Sequence, residues 1–118
     1  MANIFLDVNR LIGLIKGEEI DNLSGHNLMI SVLSWHITCY LMKWKMPHEK
    51  LKRMSEVLAA VELTNEIVKK SIMGPTDDFE DNVQLNSAAE GDCDYFLTMD
   101  KKLLKMKFFG KMKISDKI

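Results

Sequence analysis

The chain alternates short, wholly apolar runs with longer amphipathic stretches, and each apolar run carries a stop signal close behind it. "NIFLD", Asn3 to Asp7, has the unbroken apolar pattern of a strand buried on both faces, and it ends on an acid. "RLIGLIKG" follows, with Leu11, Ile12, Leu14 and Ile15 at helical spacing and Gly17 as the stop. "NLMISVLS", Asn27 to Ser34, predicts a second strand, with Ser34 capping a helix through Trp35, Tyr40 and Lys43 that ends near Pro47. "PHEKLKRMSEVL" restarts as a helix with Pro47 at or near its first position.

The same alternation runs through the second half. "AAVEL", Ala59 to Leu63, predicts a short strand, and "TNEIVKKSIM" a helix capped by Thr64. "TDDFEDNVQLNSAAEG" predicts a helix with Asp77 as N-cap, Glu80 in capping-box position and Gly91 as the stop. "DYFLT" is another buried strand, "KKLLKMKFFG" a short helix and "KMKIS" an edge strand. The expectation is an α/β fold, one domain over residues 1–118, built on a mostly parallel five-stranded sheet flanked by helices on both faces. In such sheets ligands bind beyond the carboxyl ends of the strands, where the strand order reverses. Asp7 ends the first strand and Asp100 lies two residues past Thr98 at the end of the fourth. If those strands are neighbours, the two acids face one crevice.

Charge sharpens this picture. The net charge is only -1, yet Gly74 to Lys102 holds eight carboxylates, with no Lys or Arg between Thr76 and Asp100. Lys101, Lys102, Lys105 and four further lysines then follow in the last eighteen residues. Crowded carboxylates disfavour folding unless solvent, helix N-termini or a cation offsets their repulsion. Asp78 and Asp81, three apart, share a helix face near its first turn. With Asp7 and Asp100 they give three or four carboxylates that can converge at one strand-end crevice, an oxygen-only donor set suited to Mg2+, two of which activate a water and stabilise the leaving oxygen of a phosphodiester. First-turn acids also serve as caps, which explains Asp77 and Glu80 without function; Asp81 is too deep for that.

Two segments resemble a known family. "IFLDVNRLI" is similar to the opening of PIN-domain proteins, and "DFEDNVQLNSAAEGDCDYFLTMDKKL" resembles their later segment, in the same order and over nearly the whole chain. The resemblance implies a PIN-like three-layer sandwich that hydrolyses RNA with Mg2+ or Mn2+, as VapC-like toxins of toxin-antitoxin pairs do. It implies Asp7, Asp81 and Asp100 as catalytic and metal-holding residues, with Asn9, Asp78 and Thr98 in support. It also implies a homodimer and a small antitoxin partner. One position departs: where most members carry a Glu in the helix after the second strand, this chain has Ile37, which neither coordinates metal nor orients water. The alternative expectation is therefore a catalytically impaired PIN-like module that binds RNA or a partner protein. Glu90 and Asp94 are candidates to replace that Glu on charge alone.

The remaining features exclude more than they add. Two cysteines, Cys39 and Cys93, make no disulfide framework, no secretory segment precedes the first strand, and the longest apolar run is broken by polar residues. A cytoplasmic, non-membrane protein is expected. Lys101, Lys102 and Lys105 suit phosphate contacts, although a solvated helix face accounts for them equally. His36 and Cys39 make half a zinc site at most. No P-loop, dinucleotide-binding glycine motif or Ser-His-Asp set is present.

Overall fold

In the computed structural model, which describes all 118 residues, the first half of the chain runs β1 (Asn3–Leu6), α1 (Val8–Ile15), β2 (Asn27–Ser31), α2 (Val32–Met42), α3 (Glu49–Val57) and β3 (Ala59–Val61). The second half runs α4 (Asn65–Met73), α5 (Phe79–Glu90), β4 (Tyr95–Leu97), α6 (Lys101–Met106), β5 (Phe108–Phe109) and β6 (Met112–Ser115). The strands form one sheet in the order β3-β2-β1-β4-β6-β5, parallel throughout except for the β5-β6 pair. The order runs outward from β1 in both directions. The reversal therefore lies between β1 and β4, the two strands whose ends lead to Asp7 and Asp100.

Side-chain alternation along the central strands builds two cores, one on each face of the sheet. Phe5, Phe96 and Ile114 pack on one face with Leu85 and Ala88 of α5 and Leu103 of α6. Ile4, Leu6, Ile30 and Leu97 pack on the other with Leu11 of α1, Trp35 of α2 and Met54 of α3. Ile4, Phe5 and Leu6 are all fully buried, which is why this strand reads as a continuous apolar run rather than an alternating one. The Phe5 and Phe96 rings, paired across the β1-β4 register, stack at 5.4 Å between centroids. The radius of gyration, 13.6 Å, matches the value of about 13.5 Å for one compact unit of this length.

Several expected boundaries move. The sheet has six strands rather than five, because Phe108 and Phe109 leave the helix and turn at Gly110 (φ 60°) to pair with β6. "KMKIS" is consequently an inner strand, between β4 and β5, and not an edge. Ser31 rather than Ser34 caps α2, the two hydroxyls completing a reciprocal capping box. His48 caps α3, which puts Pro47 before the helix instead of inside its first turn. Asp78 rather than Asp77 caps α5, and Glu80 closes no capping box. Thr64 caps α4 as expected. Gly91 ends α5 at an ordinary φ; it is needed for space, since a Cβ there would lie 2.9 Å from Val61 Cγ2 and 3.0 Å from Met29 Cε. No helix is long and apolar enough to cross a membrane.

Helix α5 also carries an unforeseen polar seam into the protein. Ten of the 27 buried residues are polar, and Asn82, Gln84, Asn86 and Ser87 of α5 are four of them. Gln84 is hydrogen-bonded to the Ser31 and Ser34 hydroxyls at the start of α2. Asn82 donates to the carbonyls of Ser71 and Thr76, at 2.9 Å each, and its carbonyl accepts from the Thr76 amide and hydroxyl. That set ties the turn between α4 and α5 to the first turn of α5, where Asp78, Glu80 and Asp81 stand.

Candidate active site

Asp7 occupies the junction where β1 ends and α1 begins. Its amide donates to Leu97 O on the neighbouring strand (2.9 Å), so its backbone is fixed by the sheet. Its Oδ1 accepts from the Val8 amide (2.9 Å), capping α1, and its Oδ2 accepts from the Thr98 hydroxyl (2.7 Å) and Asn9 Nδ2 (3.3 Å). The Thr98 hydroxyl in turn accepts from the Asp100 amide (3.0 Å), and Asn9 Oδ1 accepts from the Met99 amide (3.2 Å). Asp100 caps α6 through the Lys102 and Leu103 amides, at 2.8 and 3.4 Å. One continuous hydrogen-bonded chain thus links the carboxyl ends of β1 and β4 and sets Asp7, Asn9, Thr98 and Asp100 side by side.

Asp81 comes from α5. Asp78 Oδ1 accepts from the Asp81 amide (3.0 Å), which spends the Asp78 carboxylate on helix capping and holds Asp81 in the first turn of α5. Burial pushes the Asp81 carboxyl up to about 6, helped by the negative charges of Asp78, Asp7, Asp100 and Glu80. The Asp7 carboxyl, 7% exposed, is also raised, chiefly by burial and further by Asp100 and Glu80, against the lowering pull of the Thr98 and Val8 hydrogen bonds. Asp81 therefore feels the charge of Asp7, and both feel Asp100 and Glu80. No cation of the chain relieves them: the sole ion pair within 4.0 Å is Lys111 with Asp92, two exposed side chains.

These acids share a cleft of about 490 Å³. Asp7, Glu80, Asp81 and Asp100 make its acidic wall. Ile12 and Gly13 of α1 and Ile37 and Leu41 of α2 also line it, as do Lys16 and Glu18, the latter against Gly13. Ile37 thus stands in the site itself. Glu80 and Glu18 were not anticipated there: Glu80 is in the first turn, where caps are expected, and Glu18 follows the helix stop. Glu90 and Asp94 line no part of this cleft, and Asp94 accepts from the Asn3 amide at the opposite, amino end of β1. Lys101, Lys102 and Lys105 are exposed on α6, directly after Asp100. His36 and Cys39 belong to no metal-binding group.

The acids of the site are hard oxygen donors, and Lys16 also lines the cleft without pairing with any of them. No three His, Cys, Asp or Glu side chains are spaced to grip an ion together. Mg2+ does not require that, since it commonly keeps several waters and takes one or two carboxylates directly. Six waters at about 30 Å³ each fill about 180 Å³, so a hydrated ion and a phosphate both fit a cleft of this volume. Asp7, Asp81 and Asp100 are the residues that would hold it. No protein-family model, curated protein or solved structure matches the chain.

Proposed function

We propose that this chain is a PIN-like ribonuclease, a three-layer α/β sandwich that hydrolyses RNA phosphodiesters with Mg2+ or Mn2+ held by Asp7, Asp81 and Asp100. The observation that carries the reading is that Asp7, Asp81 and Asp100, from three separate elements, line one cleft at the switch point of the sheet, with Asp7 and Asp81 both raised by burial and by neighbouring carboxylates and with no Lys or Arg within 4.0 Å of any of the three. When bound, a divalent ion supplies charge neutralisation, an activated water and stabilisation of the leaving oxygen. The Thr98 hydroxyl and Asn9 amide keep the inner Asp7 carboxylate in one orientation. Lys101, Lys102 and Lys105 offer positive charge to the phosphates flanking the scissile one. As in the family it resembles, the chain would act as a homodimeric toxin held in check by a small antitoxin protein.

One observation favours a second reading. Ile37 puts an apolar residue in the lining of the cleft that holds Asp81, which suits a groove that retains RNA or a protein segment without cutting it. Incubating single-stranded and structured RNAs with Mg2+ or Mn2+ separates the two, using wild type, Asp7→Asn and Ile37→Glu. Metal-dependent cleavage that Asp7→Asn abolishes supports the nuclease. A silent wild type with an active Ile37→Glu variant supports the binding module, and silence from all three rejects the nuclease.

A further inference from the structure

We propose that the open half of one sheet face, where Tyr95, Lys113 and Phe108 stand in a row, is a platform that binds single-stranded RNA by stacking bases on its aromatic rings. The inference takes its polymer from the function proposed above, but it concerns a surface apart from the acidic cleft and binding without metal.

Strand register builds the platform. Tyr95 of β4 is the parallel partner of Lys113 of β6, and Lys113 is the antiparallel partner of Phe108 of β5. Residues paired across neighbouring strands project from the same face, so the three form one row across the sheet. The two aromatic residues are two strand spacings apart, about 10 Å, with the lysine between them. Their neighbours along the chain serve the other face: Phe96, Met112, Ile114 and Phe109 all join the core to which Leu103 of α6 contributes. Tyr95 packs instead at the margin of the second core, which Leu11, Trp35 and Met54 close from α1, α2 and α3. Beyond β4 that face is open, with Phe108 56% exposed and Lys113 exposed beside it.

Charge selects the occupant. Residues 101–118 carry seven lysines, all exposed, against one acid, Asp116. Of the acids just before β4, Asp92 is paired with Lys111 at 3.6 Å and Asp94 accepts from the Asn3 amide at 2.9 Å. Lys113 has no carboxylate within 4.0 Å, so its charge is free for a phosphate. An apolar protein partner would cover the rings and leave the lysines unmatched. Single-stranded RNA matches both, since its bases are free to lie on aromatic side chains while its phosphates meet the lysines.

The test is fluorescence anisotropy of a labelled single-stranded oligouridine with the full chain in EDTA, over a range of salt concentrations. Wild type, Phe108→Ala, Lys113→Gln and the charge-matched control Lys69→Gln on α4 are compared, each checked for an unchanged melting temperature. Phe108→Ala should weaken binding about tenfold at every salt concentration, the scale of losing one stacked base. Lys113→Gln should lower the slope of log affinity against log salt by about 0.7, and Lys69→Gln should leave it unchanged. A merely structural role does not split affinity from salt dependence in this way. Wild-type affinity in Phe108→Ala, an equal slope change in Lys113→Gln and Lys69→Gln, duplex RNA bound as tightly as the single strand, or no RNA bound by the wild type overturns the inference. RNA held through Phe108 and Lys113 but not cut with Mg2+ or Mn2+ supports the platform and rejects the nuclease. Metal-dependent cleavage with wild-type affinity in both variants does the reverse.

Discussion

Replacing Asp81 by Asn should make the metal-free protein more stable at neutral pH. Ionised Asp81 stands in a partly buried position with Asp78, Asp7, Asp100 and Glu80 around it, and its carboxyl rises from 3.8 to about 6. At 1.36 kcal/mol per tenfold change in proton affinity, that rise corresponds to about 3 kcal/mol. Asp81 is partly exposed, so solvent screening reduces the figure to about 1 kcal/mol. The sign follows from linkage. A carboxyl raised in the folded state contributes stability below pH 3.8 that is lost as the pH climbs through about 6, and above that the ionised group opposes folding. Asn does not titrate, and no hydrogen bond to the Asp81 side chain contributes to its proton affinity, so little else is lost. Urea unfolding in EDTA should show Asp81→Asn more stable than wild type by about 1 kcal/mol at pH 7.5, or about 4 °C in melting temperature, with most of the gain gone at pH 4. A variant less stable than wild type at pH 7.5, or equally favoured at both pH values, would refute the claim that these acids repel one another in the native state.

Two further substitutions probe what holds the cleft in shape. Asn82→Ala strands the Ser71 and Thr76 carbonyls and the Thr76 amide, and should cost about 2–4 kcal/mol in urea unfolding; a loss under about 1 kcal/mol would show that the turn before α5 does not depend on it. Thr98→Val removes a hydroxyl that holds the Asp7 carboxyl down, so the Asp7 midpoint in a carbon-13 NMR titration should move higher still, and an unchanged or lower midpoint contradicts the hydrogen-bonding account.

The parts of this fold that could be read in advance are those where one element decides its own character. β1 and β4 are buried on both faces, so three or four apolar residues in a row identify them, and each is followed at once by a polar residue of the cleft network. Asp7 and Asp100 were legible for that reason. The start of α2 was not, because Met29 to Leu33 stays largely apolar across the change from strand to helix and only the capping geometry of Ser31 marks it. β5 was hidden in the pattern of α6, since Phe108 and Phe109 continue a helical apolar spacing that Lys107 breaks with φ 64°. The buried Asn82, Gln84 and Asn86 could not be anticipated from period, because their partners come from α2, α4 and the turn before α5. The acidic wall depended on α5 being delivered to the β1-β4 junction, and Glu18 on a reversal at Gly17 visible only in three dimensions.

The central claim is that the cleft of Asp7, Asp81 and Asp100 binds a divalent cation. Calorimetric titration of Mn2+ into the wild-type protein at pH 7.5 and at pH 5 tests it most directly. The account predicts saturable binding at pH 7.5 that weakens at pH 5, because Asp81 takes up its proton near pH 6 and Asp7 is also raised. No binding heat at pH 7.5, or binding of equal strength at both pH values, would contradict it.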